Sequence, residues 1–285
     1  MKQNESTVGS GQSAGRESSS LPTAHCPLPT AFRAVLFDLG DTLLDFEPMD
    51  TRALFREAAR ATFDRLAARG VAMPAFERYA RVYFRGVKWA YVWAKLRGRE
   101  FNSLELLGGF HRRMGLPADD ALLRELAWSW YEPVMRHTRI EADLPATLAA
   151  MRGAGLRLGV ISNTFVPGFV HDRHLDQVGL LEFFPVRVYS SEVGHRKPDR
   201  RIFQAALSRL GVGAAETLFV GDLIKTDIVG ARRAGMRTAW KQPFANLRPH
   251  RIADHVIRRI SDLAAVLPIG LAAAHATPDG TGEAT

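Results

Sequence analysis

Short apolar runs alternate with amphipathic helical segments from about residue 145 onward, and no other feature of the chain constrains its fold as strongly. Strands are predicted at four apolar runs: LRLGVIS, PVRVYSS, TLFVGD and RTAWK. Helices are predicted before and between them: ATLAAMRGAG, DRRIFQAALSRLG and DIVGARRAG. Strands separated by helices of this length imply parallel crossovers. With the earlier apolar run RAVLFD at residues 33–38, the pattern indicates an α/β fold, a Rossmann-like doubly wound parallel sheet.

The stretch between that first strand and the alternating region has a wholly helical pattern. The segment TRALFREAARATFDRLAARG carries apolar residues at helical spacing, and Gly70 ends it. Three more helical segments follow before residue 137. We therefore predict an all-helical cap domain at residues 46–144, inserted into an α/β core that comprises residues 31–45 and 145–268. Aromatic residues of the cap are expected mainly to pack inside its helical bundle.

The two ends of the chain show no periodic pattern. Residues 1–30 are rich in Ser and Gly and are predicted to be a disordered leader, and residues 269–285 a disordered tail. The leader has no apolar stretch and does not resemble a secretory signal. No apolar run reaches the roughly 18–20 residues of a membrane helix, and the lone Cys26 fits a reducing compartment. We therefore expect a cytoplasmic protein with no membrane partner.

The charge balance is basic, with 38 Lys and Arg residues against 30 Asp and Glu residues and a net charge of +8. Such a balance can serve nucleic-acid binding or can attract small anions. The arginines are scattered along the chain, and no nucleic-acid motif organises them. They are therefore predicted to form solvated helix faces, and we expect no nucleic-acid partner.

Polar residues follow three of the predicted strands at the point where each ends. They are Asp38, the pair Ser162 and Asn163, and Asp222 after Gly221. Ligands of open parallel sheets bind at the carboxyl ends of the strands, and a buried carboxylate there is costly unless it is used or paired. Each residue alone could simply cap the following helix. Together they predict a polar crevice at one edge of the sheet.

Four separated motifs, read in order, resemble those of the haloacid dehalogenase superfamily in its helical-cap subfamily: RAVLFDLGDTL, LGVISNT, VGHRKPD and LFVGDLIKTDIVGARRAG. The resemblance implies that Asp38 is a nucleophile that forms an aspartyl-phosphate. It implies that Ser162 binds the transferring phosphoryl group, with Asn163 beside it in the substrate site. Asn163 could instead hold a turn.

The third and fourth motifs imply a charge-neutralising set. Lys197 would steady the nucleophile and the charge that develops on the phosphate, although it could also be an exposed lysine before a helix. Mg²⁺, which takes oxygen ligands, is the implied cofactor, held directly or through water. Its implied ligands are Asp38, the backbone carbonyl of Gly40, Asp222 and Asp227.

One position departs from the pattern of the phosphatases. Gly40 stands where they carry a second aspartate, which protonates the leaving alcohol and later activates water, and such a group is worth roughly 10²–10⁴ in rate. Three explanations stay open. Asp41 takes over as the catalytic acid, or the substrates have good leaving groups such as acyl phosphates, or the protein binds phosphorylated ligands with little turnover.

The resemblance therefore predicts a Mg²⁺-dependent hydrolase, a phosphatase acting on a small phosphorylated metabolite. A 2-haloacid dehalogenase also needs no acid at position 40, but that branch uses no metal and lacks the GDLIKTD arrangement, so it ranks lower. A phosphonatase, with Lys88 or Lys95 from the cap, ranks equally low. The sequence leaves the substrate and the oligomeric state open.

Overall fold

The computed structural model of the protein describes residues 32–48, 50–242 and 252–267. The strands in chain order are β1 (Ala34–Phe37), β2 (Asp45–Phe46), β3 (Thr138–Arg139), β4 (Arg157–Ser162), β5 (Val186–Tyr189), β6 (Thr217–Gly221), β7 (Arg237–Lys241) and β8 (His255–Ile257). Six of them form one sheet in the order β5-β4-β1-β6-β7-β8, with parallel neighbours throughout. The predicted Rossmann-like parallel sheet is confirmed.

The helices in chain order are α1 (Thr51–Ala68), α2 (Phe76–Arg97), α3 (Ser103–Met114), α4 (Asp120–Met135), α5 (Leu144–Gly153), α6 (Gly168–Gln177), α7 (Ser190–Val193), α8 (Arg200–Leu210) and α9 (Val229–Arg233). A π-helical turn, Ile224–Ile228, leads into α9. Helices α1 to α4 lie between β2 and β3, which pair antiparallel with each other. The helical insertion therefore enters and leaves the core through one two-stranded stem.

Both faces of the sheet are covered because its strands are apolar on both sides. In β1, Val35 and Phe37 pack in a cluster with Leu148 of α5. The alternate residue Leu36 points to the other face and packs with Phe203 of α8. Successive side chains of a strand point to opposite faces, so an unbroken apolar run suits a strand buried on both sides.

The cap has its own apolar core, built by helices that begin and end at recognisable residues. Asp119 caps α4, where its carboxylate accepts a hydrogen bond of 2.9 Å from the Leu122 N–H. Tyr79 and Tyr83 of α2 are buried with ring centres 4.9 Å apart, as expected for aromatic residues of a bundle. Gly86 lets the ring of Phe110 lie against α2, since a Cβ there would meet its Cζ at 1.8 Å.

Other aromatic residues of α2 do not pack inside the bundle. Trp89 is 60% exposed and Trp93 51% exposed, and Ala94 is the residue that is buried in the carboxyl-terminal half of α2. No helix among the described residues combines the length and the apolar character that membrane crossing requires. The predicted leader (1–30) and tail (269–285) lie outside the described residues, as does Cys26.

Lys241, the last residue of β7, joins the core to the stem of the cap. Its ammonium is buried (2% exposed) and lies 2.9 Å from the Asp45 carboxylate in β2 and 2.9 Å from the Glu141 carboxylate just after β3. It also donates to the Thr42 carbonyl at 2.8 Å. One buried cation thus pairs with both chain segments that connect the sheet to helices α1 to α4.

Replacement of Lys241 by Met is expected to lower the free energy of unfolding by about 3 kcal/mol, because the Glu141 carboxylate, which is 10% exposed, loses the buried ammonium and keeps the hydrogen bond from the Ile260 N–H. Denaturation by urea measures the loss. Lys88→Met, on the exposed side of α2, is the matched control and should change stability by less than about 0.5 kcal/mol. A loss of under about 1 kcal/mol for Lys241→Met would show that these pairs behave like exposed ones.

Candidate active site

The sheet order brings the predicted strand-end residues together. Strand β1 lies between β4 and β6, so Asp38, Ser162 and Asp222 stand at the ends of three adjacent strands. All three line one cavity of about 430 Å³ between the core and the cap. Asn163, Lys197 and the loop that contains Gly40 and Asp41 line the same cavity. Every residue that the four motifs singled out therefore faces one space.

A buried lysine links two carboxylates at the floor of this cavity. Lys197 Nζ lies 2.6 Å from Asp38 Oδ1 and 2.8 Å from Asp227 Oδ1, and Lys197 is 3% exposed. Burial opposes the charge of Lys197, but the neighbouring carboxylates of Asp227 and Asp38 outweigh it and raise the pKa of the lysine above its usual value. The lysine is therefore a fixed positive charge beside Asp38.

The carboxylates of Asp38, Asp222 and Asp227 carry more negative charge than the Lys197 ammonium neutralises. Burial raises the pKa of Asp38 to about 7, and the Asp227 and Asp222 carboxylates add to the effect that Lys197 opposes. Burial, with the charge of Asp227, raises the pKa of Asp222 to about 6. Carboxyl groups with raised pKa values close to one another are typical of sites that hold a cation.

The donor set fits a divalent metal ion such as Mg²⁺. Asp38, Asp222 and Asp227 each offer a carboxylate oxygen, and these oxygens lie within 4.8 Å of one another. Mg²⁺ prefers oxygen ligands and is commonly held by one or two carboxylates plus water and substrate phosphate. The loop after β6 is itself fixed, because Trp240 Nε1 donates to the Asp222 carbonyl at 2.7 Å.

Asp227 has both oxygens occupied. Oδ1 faces Lys197, and Oδ2 accepts a hydrogen bond of 2.9 Å from the Leu223 N–H. Gly221 permits this approach, since a Cβ there would lie 2.6 Å from Asp227 Cβ. Asp227 therefore orients the lysine and the loop. The fourth motif implies that Asp227 contacts the metal either directly or through water, and contact through water suits these hydrogen bonds better.

Asn163 contacts the protein backbone with both atoms of its amide. Its Nδ2 donates to the Lys197 carbonyl at 3.0 Å, and its Oδ1 accepts from the Lys197 N–H at 2.7 Å. The resemblance implies that Asn163 belongs to the substrate site; Asn163 lines the cavity, and its amide holds the Lys197 segment in place. Ser162, by contrast, lines the cavity with a buried side chain. Within the described residues, its hydroxyl makes no hydrogen bond to the protein.

The loop that contains Gly40 and Asp41 has an unusual backbone. Asp41 adopts φ 54°, a left-handed conformation that favours glycine, and its Oδ1 accepts a hydrogen bond of 3.2 Å from the Phe46 N–H. Gly40 lies outside the left-handed region, and the contact that a Cβ added there would make with the described residues is to Phe46 Cε2, at 3.3 Å. The backbone at position 40 therefore accepts a side chain, whereas the backbone at position 41 is strained by one.

The cap supplies a wall of the cavity that the sequence motifs did not identify. Its lining residues come from α1 and α4: Leu54, Phe55, Trp130, Tyr131 and Val134. Apolar residues of this kind in a helical pattern look like ordinary bundle residues, so no signal in the sequence separates them. Lys88 and Lys95 are exposed on α2 and do not line the cavity, which removes the geometric basis for a phosphonatase lysine.

The loop between α2 and α3 holds the cap against the core beside this cavity. Glu100, whose side chain is fully buried, forms an ion pair with Arg196 and accepts a hydrogen bond of 3.1 Å from Ser190 Oγ. The next residue, Phe101, stacks on Phe165 of the core with ring centres 5.2 Å apart. These contacts place the cap directly over the strand ends.

Comparisons with known proteins agree with this geometry. Residues 32–235 match the family model described as haloacid dehalogenase-like hydrolase. The chain is 32% identical over 254 residues to phosphoserine phosphatase of Thermus thermophilus, covering 81% of this chain and 96% of that one. It is 29% identical over 206 residues to glyceraldehyde 3-phosphate phosphatase of Methanopyrus kandleri, covering 72% and 82%.

Solved structures share the fold. A HAD phosphatase from Thermococcus onnurineus superposes with a TM-score of 0.54 at 22% identity, covering 82% of this chain and 97% of that one. A 2-haloacid dehalogenase from Pseudomonas syringae pv. Tomato DC3000 gives a TM-score of 0.54 at 26% identity, with the same coverage. Phosphatases and dehalogenases thus both use this architecture, so the choice between them depends on the residues of the site.

Proposed function

The chain belongs to the haloacid dehalogenase-like hydrolases, and from that premise we propose that it is a Mg²⁺-dependent phosphatase acting on a small phosphorylated metabolite. The observation that carries the proposal is the buried arrangement of Lys197 between Asp38 and Asp227, with Asp222 beside it. A carboxylate can attack a phosphate only if positive charge offsets the repulsion between the two anions.

Asp38 is the nucleophile in this proposal. Its carboxylate oxygen forms a bond to phosphorus as the bond from phosphorus to the leaving oxygen breaks, which produces an aspartyl-phosphate. Water then attacks phosphorus, which releases inorganic phosphate and regenerates the carboxylate. Lys197 holds Asp38 in place, and the Ser162 hydroxyl donates to a phosphoryl oxygen. When bound, Mg²⁺ neutralises phosphoryl charge and orients the group.

The leaving oxygen must receive a proton when it is an alkoxide. Gly40 has none to give, so the proton comes from solvent or from Asp41, which lines the cavity. Acyl phosphates, which are mixed anhydrides, and phosphate esters with good leaving groups need little of this help. We therefore propose that turnover is fastest for such substrates.

A second candidate function is the binding of phosphorylated ligands with little turnover, and the observation that favours it is Gly40. Carbon–halogen hydrolysis fits less well. A 2-haloacid is an anion, and the three carboxylates of Asp38, Asp222 and Asp227 outnumber the ammonium of Lys197 beside them. That surface repels a substrate anion unless a cation is also bound.

Phosphate release is expected to require Mg²⁺ and to stop when EDTA is added. Asp222→Asn removes one negative charge from the proposed site and should raise the Mg²⁺ concentration for half-maximal activity by at least about tenfold. The measurement is phosphate release from acetyl phosphate and from a panel of phosphate monoesters, at several Mg²⁺ concentrations.

The matched control is Asp176→Asn, which changes an exposed aspartate of α6 outside the cavity and should leave the Mg²⁺ requirement unchanged. Equal rates with and without EDTA would contradict the metal dependence. A folded protein that binds the phosphorylated compounds but turns over none of them would favour the binding function.

A further inference from the structure

In the part of the chain that the structure describes, charged residues line only one side of the cavity between the core and the cap. Among the described residues, its charged lining residues are Asp38, Asp41, Lys197, Asp222 and Asp227, and all five belong to the core. The opposite wall, from the cap, is made of aliphatic and aromatic side chains. The phosphoryl group and its counter-ions therefore belong at the floor, and the organic part of a substrate faces the cap wall.

Within the described ranges, no positive charge is left to pair with an anionic group on that organic part. Lys197 is the only lysine or arginine that lines the cavity within the described residues, and it already contacts two carboxylates. Arg196, the next residue along the chain, is paired with Glu100. A substrate carboxylate would therefore lie unpaired against the cap.

His171 does not supply the missing charge, although it lines the cavity. Burial lowers the pKa of its imidazole to about 3, so the ring is neutral. Its Nε2 is engaged with Thr164 Oγ1 at 2.8 Å, and its ring stacks on Tyr189 with centres 5.3 Å apart. The ring is therefore a polar but uncharged part of the wall.

Of the acidic residues that line the cavity in the described part of the chain, Asp41 is the one that contacts neither the lysine nor the proposed metal cluster, so it is the group available to a substrate ammonium. This carboxylate lies on the loop that follows Asp38, on the phosphoryl side, and it bonds the Phe46 N–H. An ammonium at the far end of a substrate would instead face the cap wall. Burial of either charge without a partner is unfavourable.

The cap wall is arranged as aromatic surface. The rings of Phe55 and Trp130 meet edge to face with centres 5.1 Å apart, and Trp130 in turn contacts Phe165 at 6.0 Å. Aromatic rings and aliphatic chains gain from burial against such a surface, both through removal from water and through ring contacts.

A smaller cavity of about 40 Å³ lies behind this wall. Trp130, Phe165 and Val166 line both cavities, and the smaller one continues between apolar residues of α2 and α3 that include Val87, Leu107 and Phe110. The side chain of Trp130 therefore forms part of the partition between the active-site cavity and the apolar interior of the cap.

We propose that the preferred substrates are phosphate esters whose organic part is uncharged and presents an aromatic or aliphatic surface to Phe55, Trp130 and Val134. This inference rests on the phosphatase function proposed above and narrows its substrate class. Phosphoserine, which carries an ammonium and a carboxylate, is accordingly expected to be a poor substrate.

Three aryl phosphates that differ only at the para position test the inference: 4-methylphenyl, 4-carboxyphenyl and 4-(aminomethyl)phenyl phosphate. We expect kcat/KM for the methyl compound to exceed that of each charged compound by at least about tenfold. The para-carboxylate makes the phenolate a slightly better leaving group. A preference for the methyl compound over the carboxy compound therefore cannot come from leaving-group chemistry.

Val134→Arg places a cation on the cap wall and should shift the preference. The ratio of kcat/KM for 4-carboxyphenyl to 4-methylphenyl phosphate is expected to rise by about tenfold or more. Val92→Arg, on the exposed surface of α2, makes the same change outside the cavity and should leave the ratio unchanged. If both variants shift the ratio equally, the cap wall is not the origin of selectivity.

Trp130→Ala opens the partition toward the smaller cavity. The ratio of kcat/KM for 4-butylphenyl to 4-methylphenyl phosphate is expected to rise in this variant, and Trp130→Phe, which keeps an aromatic ring, should give a smaller rise. A ratio that stays at the wild-type value in folded Trp130→Ala would contradict the placement of the organic part against this wall.

The outcomes separate this inference from the proposed function. Hydrolysis with equal or greater kcat/KM for the charged esters would overturn the inference and leave the phosphatase function intact. If neither these esters nor acetyl phosphate is hydrolysed with Mg²⁺ present, the phosphatase function fails. In that case, calorimetry measures the affinity of the wild-type protein for each of the three esters. Tighter binding of the methyl compound would support the inference, and tighter binding of a charged ester would overturn it.

Discussion

Asp38→Asn is expected to abolish phosphate release, with a fall in kcat of at least about 10⁴-fold. The amide keeps the shape of the carboxylate and retains an oxygen that can accept from Lys197 Nζ, which lies 2.6 Å from Oδ1 in the native protein. It cannot serve as a nucleophile toward phosphorus. The fall in kcat therefore reports the chemical role of the carboxylate. It is measured as the rate of phosphate release at saturating substrate and Mg²⁺.

Two controls make that result specific. Asp176→Asn changes an exposed aspartate and should keep full activity. Circular dichroism and the melting temperature of Asp38→Asn show that the variant is folded. Transfer of ³²P from a labelled substrate to the wild-type protein, absent in the variant, identifies the aspartyl-phosphate. Activity within about tenfold of the wild type would place the nucleophile elsewhere.

Gly40→Asp is expected to raise kcat for alkyl phosphates by roughly 10²–10⁴, the general worth of a positioned acid–base group. Residue 40 lines the cavity two positions after Asp38, and its backbone accepts a side chain. Phe46 must move by a few tenths of an ångström, because the new Cβ approaches its Cε2 at 3.3 Å. Acetyl phosphate, whose leaving group needs no proton, should show little gain.

Three related variants separate the explanations for Gly40. Gly40→Asn fills the same space without an acid and should give no gain. Gly40→Asp combined with Asp41→Gly relieves the left-handed conformation at position 41 and should be at least as active as the single variant. Asp41→Asn should lower kcat severely if Asp41 already acts as the acid. Equal rates for Gly40→Asp and Gly40→Asn would refute the missing-acid account.

The core strands could be predicted from the sequence because their signal is local. The run RTAWK was predicted as a strand and forms β7, Arg237–Lys241, and RAVLFD contains β1, Ala34–Phe37. Helix α6, Gly168–Gln177, and strand β8, His255–Ile257, are not among the predicted elements, because the first has a weak apolar stripe and the second is three residues long. The antiparallel pair β2 and β3 joins two short segments that lie on either side of the whole cap in the sequence. No local pattern therefore predicts this pair.

The residues of the active site were predictable for a similar reason. Asp38, Ser162 and Asp222 directly follow strands, and the carboxyl ends of adjacent parallel strands meet wherever the sheet forms. Their detailed contacts were not predictable. The Asn163 amide holds the Lys197 segment, and Asp227 contacts Lys197 and the Leu223 N–H. Most of these contacts join loops that are distant in sequence.

The sequence by itself determined the sheet, the helical nature of the insertion and the charged groups at the cavity floor, because strand and helix periods and strand-end residues are local properties. Only the tertiary structure decided which face of the cap covers them. Trp130 lines the cavity while Trp89 and Trp93 of the same cap are exposed, and all three occur in similar helical patterns. The orientation follows from long-range contacts such as Glu100 with Arg196, which helical periodicity does not encode.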